Sequence, residues 1–456
     1  MEIIHFYHIN DLHSHFEKWP KIKRFLKQKR AEHESKSQQV FVLDIGDHMD
    51  RVHPYTEATL GKCNVELLNE VHVDFATIGN NEGITLPFDA LDSLYTNAQF
   101  EVLIGNLYYP NQTRPQWVKP YSIQETREGT KLGFIGLTVY FSKFYQELGW
   151  TISEPLEELA KIVSELKEKV DILVLLSHLG IHEDEEIARR FPEIDIIMGG
   201  HTHHVLEQGK LENQTLLTCA GKHGNYVGHI ELVVEQHAIQ SRFAELIDTD
   251  HICAEHQDDE VITHWQHRGE ELLQQVVVTL PRTLPSNWEK ETELSRLLAE
   301  GLKEWCEAEA SILNCGLFLK DLDKGPVTKL DIHQLLPHPI NPCTVWIKGQ
   351  ELIEVIKQAS EEKWMNWVLK GLGFRGKVMG CFLFAGIHII EEGSYHKKFW
   401  MNGRPVEPER EYKIATIDMF TFGPFFPEVY RAEKKEYDVA YMLRDIMEWK
   451  LVQTFS

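Results

Sequence analysis

The stretch FATIGNNEGIT, residues 75–85, sets the pattern for the first half of the chain. A short apolar run stops at Gly79, and two asparagines, Asn80 and Asn81, follow where the chain must turn. Such runs, flanked by helix-prone sequence, read as buried strands of an α/β sheet with functional side chains at their carboxyl ends. The pattern recurs in IIHFYHI, VFVLDIG, EVLIGN, KLGFIGL, VDILVLLSH and IDIIMGG, with helix-like segments at 20–32, 56–70 and 153–169. The expected fold class is therefore α/β. YVGHIELVVE, at 226–235, is expected to close the sheet as an edge strand.

At 456 residues the chain is too long for one ordinary core, which implies two or three domains. Its 43% apolar and 26% charged residues are those of a soluble globular protein. A net charge of −23 argues against a nucleic-acid polymer or an anionic membrane as partner. It leaves room for a small anionic substrate, because bound divalent cations would reverse the local field. Seven cysteines, at 63, 219, 253, 306, 315, 343 and 381, stand singly with no CxxC pair, which suits a reducing compartment. The opening MEIIHFYHINDLHSHF has no signal-peptide character, and no segment reaches the roughly 20 apolar residues of a membrane helix. A cytoplasmic protein is expected.

The expected boundaries are 1–240 for the first domain, 241–290 for an acidic, helix-prone connector and 291–456 for a second domain. In the last, ETELSRLLAEGLKEWCEAEA has helical periodicity and SILNCG follows as a strand. KLDIHQLLPHPINPCTVWIKGQELIEVIKQA reads as helix, loop, strand, turn and helix. KVMGCFLFAGIHII and YKIATIDMF add strands, and 436–452 reads as a terminal helix.

Five strand ends of the first domain carry metal-ligand chemistry. HINDLH places Asp11 and His13 two apart, so in extended chain both leave one face. LDIGD ends in Asp47, IGNN brings Asn80, LLSH ends in His178, and IMGGHTHH supplies His201 and His203 after paired glycines. One such residue alone is commonly structural. Seven in order, after five separate apolar runs, are enough for two divalent cations sharing a carboxylate. Two cations about 3.5–4 Å apart can activate a water for attack on phosphorus and neutralise the phosphoryl oxygens. Mixed Asp, Asn and His donors suit Mn²⁺, Zn²⁺, Fe²⁺ or Co²⁺. His5, His8, His53 and His72 read as ordinary core or surface histidines.

With these motifs the sequence resembles the 5′-nucleotidase family of calcineurin-like metallophosphoesterases. NDLHSHF (10–16), GDHMD (46–50), GNNE (79–82), SHLG (177–180) and GGHTHH (199–204) follow its five blocks in order. LNCG (313–316) and LLPHPINPC (335–343) resemble its carboxyl-terminal nucleotidase domain. The resemblance implies a metallophosphoesterase αββα sandwich with a second, smaller α/β domain. It also implies one metal held by Asp11, His13, Asp47 and His203, and another by Asp47, Asn80, His178 and His201. The implied substrates are nucleoside monophosphates or related nucleotide phosphates, with the base gripped by aromatic residues of the second domain.

The departures from the family pattern concern catalysis and substrate. Asn81 stands where GNH(E/D) has a histidine, and Ile84 where that histidine's acidic partner belongs. A carboxamide donates a hydrogen bond but cannot shuttle a proton. His15 and His48, beside metal-ligand positions, are candidate substitutes. The NGG(G)IR-like segment becomes NCGLFL (314–319), keeping Asn314 but lacking the arginine, and the GGDGY region becomes FGPFFPE (422–428). Phe384, Phe420, Phe422, Phe425 and Phe426 are candidate stacking residues, and Arg375 is a candidate phosphate or ribose contact. The expected activity is 5′-nucleotidase-like monoester hydrolysis by a slowed or altered metal-dependent phosphohydrolase. Its alternatives are hydrolysis of cyclic or diphosphate-linked nucleotides, or metal and nucleotide binding with weak catalysis.

Overall fold

Every residue of the strand Ile172–His178 is buried, although successive side chains of a strand leave opposite faces. Both faces are therefore covered. Val174 and Leu176 join an apolar cluster with Ile4, Phe6, Phe41 and Leu43 of another sheet. Leu173 and Leu175 join a different one, with Leu159, Ile162, Val163 and Leu166 from the helix Pro155–Leu166. The strand Glu2–Ile9 mirrors this. Its Ile4 and Phe6 enter the shared core, while Tyr7 and Ile9 pack against Trp19, Ile22 and Leu26 of the helix Trp19–Ser35. The layers run helix, sheet, sheet, helix, which is the expected αββα sandwich.

The computed structural model describes residues 1–392, 396–423 and 425–456. It divides into two compact units, Met1–Gly269 and Glu270–Ser456. In the first unit, the seven-stranded sheet has the spatial order Ala238–Asp248, Tyr226–Glu235, Glu2–Ile9, Gln39–Asp44, Phe75–Ala76, Glu101–Leu103, Val118–Lys119. It is parallel from Glu2–Ile9 onward. The six-stranded sheet runs Lys210–Glu212, Thr215–Cys219, Ile196–Gly199, Ile172–His178, Lys131–Thr138, Tyr121–Glu125, with a parallel centre and antiparallel edges. Phe134 bridges the two sheets, its ring 4.5 Å from that of Phe75 and 5.0 Å from that of Phe41.

Three details differ from the sequence reading. Tyr226–Glu235 is an interior strand, paired on both sides, and Ala238–Asp248 forms the edge. The latter reads as polar because only one of its eleven residues is buried. The segment 241–290 accordingly contains the end of that strand, the helix Asp258–Leu272 and the strand Val276–Leu280. The span 56–70 is two helices, Pro54–Thr59 and Lys62–Glu70, broken at Leu60 and Gly61, whose φ values are 49° and 81°.

The second unit is built on a five-stranded sheet ordered Phe382–Ala385, Ala310–Asn314, Glu411–Ile417, Pro342–Lys348, Lys435–Tyr437. Its helices include Glu293–Trp305, Gly349–Ala359 and Leu443–Phe455. Leu294, Leu298 and Leu302 share one apolar core with Leu352, Val355 and Ile356 and with Ile446 and Leu451. Thr292 caps the first of these helices by accepting from Ser295 N. No helix of the described residues is long and apolar enough to cross a membrane.

Candidate metal centre

All seven donors leave the carboxyl ends of parallel strands, four from one sheet and three from the other. Asp11 and His13 follow Glu2–Ile9, Asp47 follows Gln39–Asp44, and Asn80 follows Phe75–Ala76. His178 ends its own strand, and His201 and His203 follow Ile196–Gly199. The turns are sharp. Asp11, His13, Asp47, His201 and His203 have φ between 50° and 70°, the left-handed region that costs a side-chain-bearing residue about 1–3 kcal/mol. Gly79 makes room where the loops meet, since a Cβ there would lie 2.0 Å from Asp47 Oδ1.

Within the cluster, His203 Nε2 lies 3.3 Å from Asp11 Oδ1 and 3.2 Å from His13 Nε2. Asp47 Oδ2 faces both sides, 3.7 Å from His13 Nε2 and 3.5 Å from His178 Nε2. Asp11 Oδ1 is 4.0 Å from His178 Nε2, and His201 Nδ1 is 2.8 Å from Asn80 Oδ1. Among the described residues, Asp11–His13–His203 and Asp11–Asp47–His178 each bring three ligand atoms into mutual reach.

The electrostatics match a cation site. Burial alone would raise Asp47, but the His178 and His13 imidazoles hold it at about 2. Asp11, also buried, is held well below the usual carboxylate range by hydrogen bonds with His13 and His203. Burial disfavours charge on His178, yet Asp47 and Asp11 hold it up at about 10. Two buried carboxylates thus demand compensating positive charge. His178 Nδ1 donates to the Ile45 carbonyl at 2.7 Å, which orients the ring and leaves Nε2 buried without a hydrogen-bond partner. That orphaned nitrogen and the mixed oxygen and nitrogen donor set fit divalent cations.

The sequence reading passed over several supporting residues. Asn10 donates from Nδ2 to Asp11 Oδ2 and to the Gly221 carbonyl, both at 2.8 Å. Glu82, 3% exposed, accepts from Asp47 N at 2.9 Å, Gly79 N at 2.8 Å and Met49 N at 3.0 Å. Burial and the neighbouring Asp47 push its carboxyl up to about 6. Asp50 Oδ2 stands 3.7 Å from His13 Nδ1. Glu82 and Asp50 lie inside the GNNE and GDHMD motifs, so the sequence does carry a signal for both. His223, whose ring is 5.8 Å from that of His13, had no sequence signal.

Asn81 is 5% exposed, and its backbone N and Nδ2 donate to the two Asp47 oxygens at 2.7 Å and 2.8 Å. Its carboxamide holds a carboxylate. His15 is half-buried, its Nδ1 2.8 Å from Glu17 Oε1 and its ring stacked 3.7 Å from His223. His48 is buried against Trp19, with Nδ1 accepting from Asn64 Nδ2 at 3.1 Å and Nε2 without a hydrogen-bond partner.

In the second unit, Asn314 is fully buried; its Nδ2 donates to the Met379 carbonyl at 2.7 Å, while its Oδ1 has no hydrogen-bond partner. Phe420 and Phe426, at 0% and 1% exposure, are core residues. Phe384 is half-buried, Phe425 is 8% exposed and Phe422 is 45% exposed, stacked on Tyr437. Arg375 is half-buried, with its backbone N donating to His338 Nδ1 at 2.9 Å. Of FGPFFPE, residue 424 lies outside the described residues.

A second histidine group, His5, His33 and His229, also brings three ring nitrogens together. His33 has Nε2 2.9 Å from Tyr7 Oη and Nδ1 2.9 Å from Gln38 Oε1, and its ring stacks 3.6 Å from that of His5. Stacked rings cannot both aim in-plane lone pairs at one ion, so the group is a buried hydrogen-bond network. His5 and His8 are core residues, His53 caps a helix and His72 is exposed, as ordinary histidines would be.

Residues 4–205 match the calcineurin-like phosphoesterase family, and residues 275–423 match the 5′-nucleotidase C-terminal domain. The chain is 45% identical over 460 residues to YunD, an uncharacterized metallophosphoesterase of Bacillus subtilis (strain 168), spanning 99% of this chain and 100% of YunD. It is 23% identical over 391 residues to a 5′-nucleotidase of Vibrio cholerae serotype O1, covering 73% of this chain and 70% of that protein. The solved structure of Haemophilus influenzae NAD nucleotidase (NadN) shares the fold with a TM-score of 0.68 at 16% identity, covering 99% and 96% of the two chains.

Proposed function

Because the chain belongs to the calcineurin-like metallophosphoesterases with a 5′-nucleotidase C-terminal domain, and is a phosphoester hydrolase, we propose that it acts on nucleoside monophosphates at a dinuclear metal centre. The observation that carries this reading is the convergence of seven candidate donors from two sheets, with Asp47 Oδ2 between His13 Nε2 and His178 Nε2. We assign Asp11, His13, Asp47 and His203 to one cation, and Asp47, Asn80, His178 and His201 to the other. Mn²⁺, Zn²⁺, Fe²⁺ and Co²⁺ all suit these donors. When bound, two such cations activate the attacking water and neutralise phosphoryl oxygens.

The chain's own residues set the rest. Asn10 and Asn81 orient Asp11 and Asp47, while Glu82 ties the Asp47 and Asn80 loops together. His15, aligned by Glu17 and stacked on His223, is the side chain we assign to the leaving-group side, in place of the histidine absent at position 81. Phe384, Phe422 and Phe425 are assigned to base stacking and Arg375 to a polar substrate contact. The cysteines, all of them free thiols, favour a cytoplasmic setting.

Asn81 favours a second reading. A site lacking a proton donor at that position loses least on a good leaving group, so a phosphoanhydride or a cyclic nucleotide is the alternative substrate. Product release from nucleoside monophosphates, nucleoside diphosphates, cyclic nucleotides and dinucleotides, with Mn²⁺ and again with excess EDTA, tests both. EDTA-sensitive turnover strongest on monophosphates is expected. Preference for the anhydride or cyclic bond selects the second reading. Turnover indifferent to EDTA, or none in protein with bound Mn²⁺, overturns both.

A further inference from the structure

The carboxyl-terminal unit holds a pair of thiols that the phosphoesterase reading does not use. Cys315 Sγ and Cys381 Sγ lie 3.1 Å apart. They continue the antiparallel register of Ala310–Asn314 with Phe382–Ala385, one step beyond the Asn314–Phe382 pair. Cys315 N donates to the Cys381 carbonyl at 2.8 Å. Directly opposed residues of such a pair have Cα atoms about 4.5–5.5 Å apart, inside the roughly 4.4–6.8 Å that a disulfide spans. Bond formation therefore needs side-chain rotation and little backbone movement.

We propose that Cys315 and Cys381 form a redox-responsive dithiol that takes low-molecular-weight disulfides as its oxidant. The two thiols are unequal. Cys381 is half-buried, whereas Cys315 is 0% exposed, so an oxidant meets Cys381 first. The thiol–thiol contact with Cys315 holds Cys381 below the usual thiol range, against the opposing effect of burial. The same contact, with burial, pushes Cys315 up. Cys381 is thus the attacking thiolate and Cys315 the resolving thiol.

The Cys381 thiolate attacks one sulfur of the oxidant, forming a mixed disulfide and expelling one thiolate. Cys315 then attacks the Cys381 sulfur and expels the second thiolate, which takes up the Cys315 proton as it leaves. Two protein thiols and one small disulfide become one protein disulfide and two small thiols. The bond would fasten the Phe382–Ala385 strand to the turn that begins at Cys315, where Gly316 N already donates to the Met379 carbonyl at 2.8 Å.

The test is incubation of the full folded chain with oxidised glutathione, alkylation, and non-reducing peptide mapping, with exposed Cys253 as the internal measure of oxidant reactivity. In the native chain a Cys315–Cys381 cross-linked peptide is expected, with loss of both thiols together. Cys315→Ser should accumulate glutathione on Cys381, and Cys381→Ser should leave Cys315 reduced. A stable glutathione adduct on Cys381 of the native chain, or both thiols reduced while Cys253 is modified, overturns the proposal. The native chain decides the matter alone if either variant fails to fold.

Discussion

At position 81 the side chain does a different job from the one its place in the motif suggests. The Asn81 carboxamide and backbone N hold both oxygens of Asp47, so the residue positions a metal donor and has no proton to give. An imidazole there would restore proton transfer to a departing alkoxide. Asn81→His is therefore expected to raise nucleoside monophosphate turnover about 10²-fold, with little change on an aryl phosphate. Steady-state rates on the two substrates check it, and an equal change on both would refute the leaving-group account. The place of the seven candidate donors at strand ends was legible in the sequence because they follow five separate apolar runs. What held them in place was less so, because the reach of Asn10 and Glu82 depends on how distant loops fold back.

Among the elements, the two loops after Gln39–Asp44 and Phe75–Ala76 are joined by one carboxylate. Glu82, on the helix Asn80–Thr85, accepts three backbone N–H groups, two of them from the Asp47 loop. Glu82→Ala would leave these donors without their acceptor and let the Asp47 loop drift. Loss of such support commonly weakens metal binding by about 10–100-fold. Calorimetric titration with Mn²⁺ would register that loss, and native affinity in the variant would rule the clamp out. Most strands and helices were readable from period and punctuation. Ala238–Asp248 was not, because an edge strand with a solvated face has the composition of a linker. The left-handed break at Leu60 was also hidden, since leucine carries no turn signal.

For the whole molecule, stability and pH are linked through a buried carboxyl in the second unit. Asp418 follows the strand Glu411–Ile417 and accepts from Asn341 N at 3.2 Å. Burial pushes it from 3.8 to about 7, more than the bonds from Asn341 N and Met419 N pull it down. The folded form thus keeps a proton that the unfolded chain releases near pH 4. Its contribution is fully present below that point, falls as pH rises to about 7, and is flat beyond. Asp418→Asn is expected to flatten the decline between about pH 4 and 7, worth up to about 4 kcal/mol. Urea midpoints across that range check it, and an unchanged slope would assign the proton elsewhere. The sequence could not mark Asp418, because its burial arises from contacts across the unit.

The bond from His178 to the Ile45 carbonyl has a mechanical consequence, because it joins the end of a strand in one sheet to the residue just after the strand Gln39–Asp44 of the other. Donors from one sheet meet donors from the other only if the gap between the sheets is right, so the centre works as a calliper on the thickness of the core. Phe134 is one of the spacers that set this gap. A smaller spacer should act at a distance: Phe134→Leu, which touches no donor, is expected to weaken Mn²⁺ binding as well as lower the unfolding midpoint. Lowered stability with unaltered Mn²⁺ affinity would show that the jaws are set by the loops alone.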